Sequence, residues 1–293
     1  MAVEIESVAD IRCDVGEGVF WDEASAALWF VDIPAGRLYR LKDGTLDHRD
    51  FGEPIGCAAL DAAGNPVVAL KHDIARIDWA TGARTRIARP ETDRPGNRFN
   101  DGAVDRQGRF WAGTMKMDQP PERTGAFYRL DADHRVSAFW DGTFTTNGMA
   151  FSPDGRTMYL SDSNPAVRTI WSCAYDPDTG TPGERRVFFD TRQVAGRPDG
   201  ATVDADGCYW MAGVSGWQMV RITPAGVIDR IIAMPCEKPS RPWFGGPRLD
   251  TLYVTSIGVG LTPGTEDRQP QAGGLFAIHG LGITGLAQPR FAG

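Results

Sequence analysis

One unit recurs six times along this chain, and that repeat constrains the fold more than any other feature. The unit is a short apolar strand, a polar turn that usually contains Asp and Gly, and a strand with an aromatic near its start. It reads WDEASAALWFVDI (21–33), LDAAGNPVVAL (60–70), VDRQGRFWAGTM (104–115), FSPDGRTMYLSD (151–162), VDADGCYWMAGV (203–214) and FGGPRLDTLYVTS (244–256). With Trp29, Val68, Trp111, Tyr159, Trp210 and Tyr253 as landmarks, the period is about 40 to 50 residues, enough for four short strands. The intervening segments also read as strand, turn, strand. RLYRLKDGTLDHRDF (37–51), GAFYRLDADHRVSAFWD (125–141) and TIWSCAYDPDTGTPGERRVFFD (169–190) are examples, the second turning at Asp131–His134. No segment sustains a helical period with caps.

Four-stranded units of this kind cannot bury their faces alone and stack around an axis. The expectation is an all-β, six-bladed β-propeller with four-stranded antiparallel blades. The last unit ends with GGLFAIHG (273–280), and VEIESVAD (3–10) is a strand to spare before the first. The N-terminal strand should therefore complete the last blade and close the ring. The chain is read as a single β-propeller domain over 1–293, although its length alone would point to two domains.

A net charge of -7 argues against nucleic acid as a partner, because phosphate binding needs a basic surface. No apolar run approaches the roughly 18 residues that cross a bilayer, and MAVEIESVAD lacks the pattern of a secretory signal. Cys13, Cys57, Cys173, Cys208 and Cys236 are odd in number and widely spaced. They read as buried thiols in a reducing, cytoplasmic setting.

In a propeller, equivalent positions of the inner strands converge on the axis. Counting back from the landmarks, four units place a carboxylate or carboxamide at the channel mouth: Glu17, Asn100, Asn147 and Asp199. Units two and six are read with Gly56 or Cys57 and Pro242 or Trp243 there. One such residue alone is ordinary turn chemistry. Four at one repeat phase point to an all-oxygen site for one divalent cation: Ca²⁺, Mg²⁺, Mn²⁺, Zn²⁺ or Fe²⁺.

The segments GEGVFWD (16–22), RFNDGAVDRQGRFWAGTM (98–115), TNGMAFSPDG (146–155) and RPDGATVDADG (197–207), with FGGPRLDTLYVTS (244–256), resemble the gluconolactonase/regucalcin (senescence marker protein) family. That resemblance implies a propeller with one divalent metal in its channel and hydrolysis of sugar lactones. It implies Glu17, Asn147 and Asp199 as metal ligands, with Asp199 also the general base. Asn100 matches a residue that contacts metal or substrate. Arg98 and Asp101 match substrate-site positions, and Asp118 is counted with them.

Arg98 has a plainer alternative, a salt bridge to Asp101 or Asp118, and Asp101 is as well suited to a turn. Trp217, Trp243 and Phe244 lie on segments leading to the mouth, where packing is the commoner use of an aromatic. Lys71, His72, Lys238 and Arg241 read as loop charge, although Lys238 and Arg241 would suit an acidic substituent on a substrate. His48, His72, His134 and His279 are scattered, and no GxSxG elbow is present, so a Ser-His-Asp triad is not expected. The expected function is metal-dependent opening of a sugar lactone to its aldonic acid. The rivals are a hydrolase of phosphotriesters or of aryl and lipophilic lactones, and a calcium-binding regulatory protein without turnover.

Overall fold

The computed structural model describes residues 2–9 and 11–293. Its strands form six antiparallel sheets, each starting with a strand beside a central channel. These inner strands are Gly16–Asp22, Ile55–Leu60, Asn97–Val104, Thr146–Phe151, Arg197–Val203 and Pro239–Gly245, taken as blades one to six. Each packs against the inner strands of its two neighbours, which completes the ring. Only two short 3-10 turns, Thr191–Gln193 and Glu266–Arg268, interrupt the β-structure among the described residues.

The position of a strand in its blade shows in its composition. Inner strands lie between neighbouring blades and are buried almost throughout, as in IGCAAL of blade two. Outermost strands such as TLDHRD and RTRIA face solvent and are polar. The landmarks all fall on second strands, where Trp29, Trp111 and Trp210 fill the spaces between blades. The recurring Asp of the first turn has a local cause. Asp105 Oδ1 accepts from the amides of Gln107 and Arg109, and Asp204 Oδ1 from those of Asp206 and Cys208. A carboxylate that bonds its own turn fixes the reversal between first and second strands.

Blade six closes as expected. Glu4–Ala9 pairs antiparallel with Leu275–His279, placing Glu4 opposite His279 and Ser7 opposite Phe276. Asp10, the last residue of the segment expected to do this, lies outside the described residues. The first and last strands of the ring are thus hydrogen-bonded into one sheet. Blade four carries a two-residue addition, Thr181–Pro182, beside its third strand.

The segment after this sheet crosses the end of the channel remote from Glu17. Ala205 donates to the Thr284 carbonyl, Gly285 to Leu249, Phe291 to Leu60 and Ala292 to Gly108. Blades five, six, two and three are therefore tied together by residues 281–293. Phe291 is fully buried. Under this segment a cavity of about 20 Å³, lined by Ala103, Ala150, Thr202, Trp243 and Leu286, is the space left at that end. It has room for about one water. No helix is long and apolar enough to cross a membrane among the described residues.

Candidate metal centre

The landmarks pair with Phe20, Ala58, Ala103, Ala150, Thr202 and Trp243 of the inner strands. Three residues earlier stand Glu17, Ile55, Asn100, Asn147, Asp199 and Ser240. One repeat position therefore brings Glu17, Asn100, Asn147 and Asp199 together. It also corrects the reading of blades two and six: the equivalents are Ile55 and Ser240, not Gly56 or Cys57 and Pro242 or Trp243. A register shift falls at this level in every inner strand, for example between Glu17 and Phe20 and between Pro198 and Ala201. Such bulges re-aim side chains and are common beside active sites.

Glu17 and Asp199 are each 6% exposed and neither forms an ion pair. Glu17 Oε2 accepts from the Gly18 amide at 2.8 Å, and Asp199 Oδ1 from Asn147 Nδ2 at 2.5 Å. Burial raises the Glu17 carboxyl well above its ordinary range, and the charges of Asp199 and Asp101 add to that. Burial likewise pushes Asp199 up to about 7, opposed chiefly by Arg197. Two buried carboxylates that act on one another and that no cation among the described residues bonds fit a divalent ion, which would neutralise both. Among the described residues no three His, Cys, Asp or Glu side chains form a metal cluster. The candidate set instead takes its third ligand from an amide. In this structure Asn147 turns Nδ2 towards Asp199 while its Oδ1 accepts from Gly148. Ligation through oxygen needs the opposite amide orientation, an assignment that follows the local hydrogen-bond network.

The substrate-site candidates separate. Asn100 is 8% exposed, with Nδ2 on the Thr146 carbonyl at 2.9 Å and Oδ1 receiving Arg98 Nη1 at 2.7 Å. Arg98 is half-buried, also donates to the Phe99 carbonyl, and makes no salt bridge to Asp101 or Asp118. Loss of hydration pushes its guanidinium down to about 10, opposed by Glu17 and Asp199. Asp101 is committed elsewhere. One oxygen accepts from Gly102 and from Arg241 Nη1, the other from Met149. Asp118 sits exposed in the loop between Phe110–Lys116 and Gly125–Leu130, without a side-chain hydrogen bond or ion pair among the described residues.

Arg241 was the residue least visible in the sequence. It reads as a loop cation, yet it is 3% exposed and pairs with Asp101 across the channel. Both stand one residue after the ligand position, where the other four blades have Gly18, Gly56, Gly148 and Gly200. A Cβ on Gly200 would collide with Arg241 Cδ. Gly200 thus leaves space for an ion pair that floors the site. Trp243 packs under Arg241, its ring centroid 5.6 Å from the guanidinium, and Phe244 packs on Trp210. Trp217 lies under Arg268 in a turn. Lys71 and His72 are half-buried at the end of the second strand of blade two.

Relatives narrow the chemistry. The family profile described as SMP-30/Gluconolactonase/LRE-like region matches residues 15–258. The chain belongs to this family. Within it, a regucalcin of Xenopus laevis is 36% identical over 299 residues, covering 100% of this chain and 99% of that protein. A 6-deoxy-6-sulfogluconolactonase of Pseudomonas putida is 38% identical over 283 residues, covering 95% of each. The crystal structure of a calcium-binding regucalcin from Agrobacterium tumefaciens superposes with a TM-score of 0.91 at 28% identity, covering 97% of this chain and 96% of that one. An SMP-30/gluconolactonase fold built on six blades therefore accounts for the repeat, and the matched residues include all four channel ligand candidates.

Proposed function

We propose that this protein hydrolyses a sugar lactone to its aldonic acid in a metal-dependent reaction. The observation that carries the reading is the buried pair Glu17 and Asp199, bonded by no cation among the described residues, beside the buried Asn100 and below the half-buried Arg98. Lactone hydrolysis is further supported by the family and by a relative that acts on a sulfonated gluconolactone.

Glu17, Asn147 and Asp199 would hold the cation. Bound there, it would supply positive charge to the carbonyl oxygen of the lactone. Asp199 takes a proton from the attacking water as oxygen adds to the carbonyl carbon. The ring C–O bond then breaks, and its oxygen leaves with a proton, so one water is consumed and one hydroxy acid formed. Arg98 orients the sugar with the donors of its fork that Phe99 and Asn100 leave free. Asn100 holds Arg98 in place and presents an amide beside it. Asp101 acts through Arg241 and keeps the floor of the site rigid. Five free, buried cysteines suit a reducing, cytoplasmic setting.

Acid release in a pH-stat against a panel of lactones, with chelator and with each of Ca²⁺, Mg²⁺, Mn²⁺, Zn²⁺ and Fe²⁺ restored in turn, tests the proposal. Metal-dependent release from sugar lactones supports it. Release confined to aryl or lipophilic lactones would transfer the site to that class of hydrolase. Calcium binding with no release from any lactone would leave the regulatory reading standing.

A further inference from the structure

One more layer of the repeat lies at the rim of the channel. Two residues before the ligand position stand Val15, Glu53, Arg98, Thr145, Arg197 and Lys238. Three of these six positions are cationic, on blades three, five and six. The carboxylate of the layer, Glu53, is bound by Arg84 at 2.5 Å. None of the three cations has a carboxylate partner: Arg98 donates to an amide and a backbone carbonyl, and Lys238 Nζ to the carbonyls of Val259 and Gly260. Arg197 is half-buried, its buried Nε has no partner, and among the described residues its side chain makes no hydrogen bond or ion pair.

The missing partner is physically informative. A guanidinium that has lost part of its hydration without gaining an acceptor is costly to hold. Burial pushes Lys238 down, the neighbouring Glu237 opposes that, and Arg197 adds to it, so the two cations stand close enough to repel. Below them Glu17 and Asp199 are matched by the divalent ion the site would hold, and Asp101 is matched by Arg241. Glu17 and Asp199 act on Arg98 and Arg197 from below without bonding them, so once a divalent ion holds that carboxylate pair the rim would keep positive charge that no carboxylate of the described residues bonds. In a chain of net charge -7, three unpaired cations at one repeat position form a local feature opposite to the overall charge.

We propose that Arg197, with Arg98 and Lys238, forms a subsite for an anionic substituent on the lactone substrate. The ligand class is an oxyanion (sulfonate, phosphate or carboxylate) on the part of the sugar away from the reacting carbonyl. Arg197 offers the planar fork that binds such groups through two parallel hydrogen bonds. The ring carbonyl reaches the ligand layer while the charged end stays one layer higher. This inference rests on the lactonase reading and names its substrate class.

The test compares glucono-1,5-lactone with analogues whose terminal carbon bears sulfonate, phosphate or carboxylate, using wild type, R197Q, R197K and K238M. Wild type should prefer at least one anionic lactone by roughly 10- to 100-fold in kcat/KM, mostly through KM. R197Q should reduce that ratio about tenfold or more, R197K should restore part of it, and metal content should be the same in all four proteins. The arm with the largest ratio identifies the oxyanion. A wild-type ratio near one, or a loss in R197Q that is equal for neutral and anionic lactones, would overturn the subsite. Calorimetric binding of the matching neutral and anionic aldonic acids reads the same preference without turnover. Anion-selective binding that depends on Arg197 but without hydrolysis would sink the lactonase reading and leave the subsite. Hydrolysis without anion selectivity would do the reverse.

Discussion

The proposed reaction gives Asp199 two roles at one carboxylate, and substitution can test each. In D199N the amide cannot accept the water's proton, so kcat should fall by about 10²- to 10⁴-fold in a saturating lactone assay. Glu17 has no proton to move in this scheme. E17Q should instead weaken metal binding by about tenfold or more, read by titration of the metal-free protein, with activity restored in part by excess metal. Wild-type metal affinity in E17Q together with a wild-type rate in D199N would place the centre elsewhere. Both residues were legible in the sequence because they share a repeat phase with Asn100 and Asn147. Asp101 and Asp118 show where that legibility stopped. The family resemblance grouped Asp101 with Arg98, and Asp118 was counted with them, but the backbone turns Asp101 down to Arg241 and leaves Asp118 in an exposed loop.

The inner strand is the element that makes the site. Its register shift lets the ligand and the residue after it occupy the channel in successive layers. The lower layer holds glycine in four blades and the Asp101–Arg241 pair in two. R241M would strand a buried carboxylate, at a cost on the order of 3–5 kcal/mol. Its denaturant midpoint should fall clearly, and the double variant D101N/R241M should recover much of the loss. Equal midpoints for R241M and wild type would show that the pair does not support the floor. Gly148 is constrained from two sides: φ is +63°, and an added Cβ would meet Tyr209 Oη at 2.5 Å and Ser161 Oγ at 2.6 Å. G148A should displace Asn147 and lower metal affinity even though no ligand is changed.

For the whole molecule, stability depends on how the ring is closed and on how its axis is charged. Removing residues 1–9 would leave blade six with three strands and expose the edge of Leu275–His279. An uncovered edge of buried, apolar strand invites pairing with another chain. The truncated protein should unfold at lower temperature and run as larger species in size-exclusion chromatography. Metal should act in the opposite direction. A cation at about one hundred times its Kd adds roughly 2.7 kcal/mol to the stability of the folded state. Calorimetry should show an upward shift in Tm that chelator reverses and that the E17Q/D199N double variant lacks.

The six-fold alternation of apolar strand and Asp-containing turn was enough to set the blade count, the four strands of a blade and the closing role of the segment 3–10. Those are consequences of local pattern, because a strand period and a turn are written in neighbouring residues. The same periodicity located the four channel oxygens. It did not settle how side chains from different blades meet. Arg241 looked like loop charge because its partner, Asp101, is 140 positions away in the chain, and Arg197 passed as the first residue of a ligand motif. Only the closed ring bonded one to a carboxylate and left the other's side chain near one but unbonded. The reason is physical: whether a buried charge is matched depends on what the opposite blades place around it, and the chain around that charge does not record this.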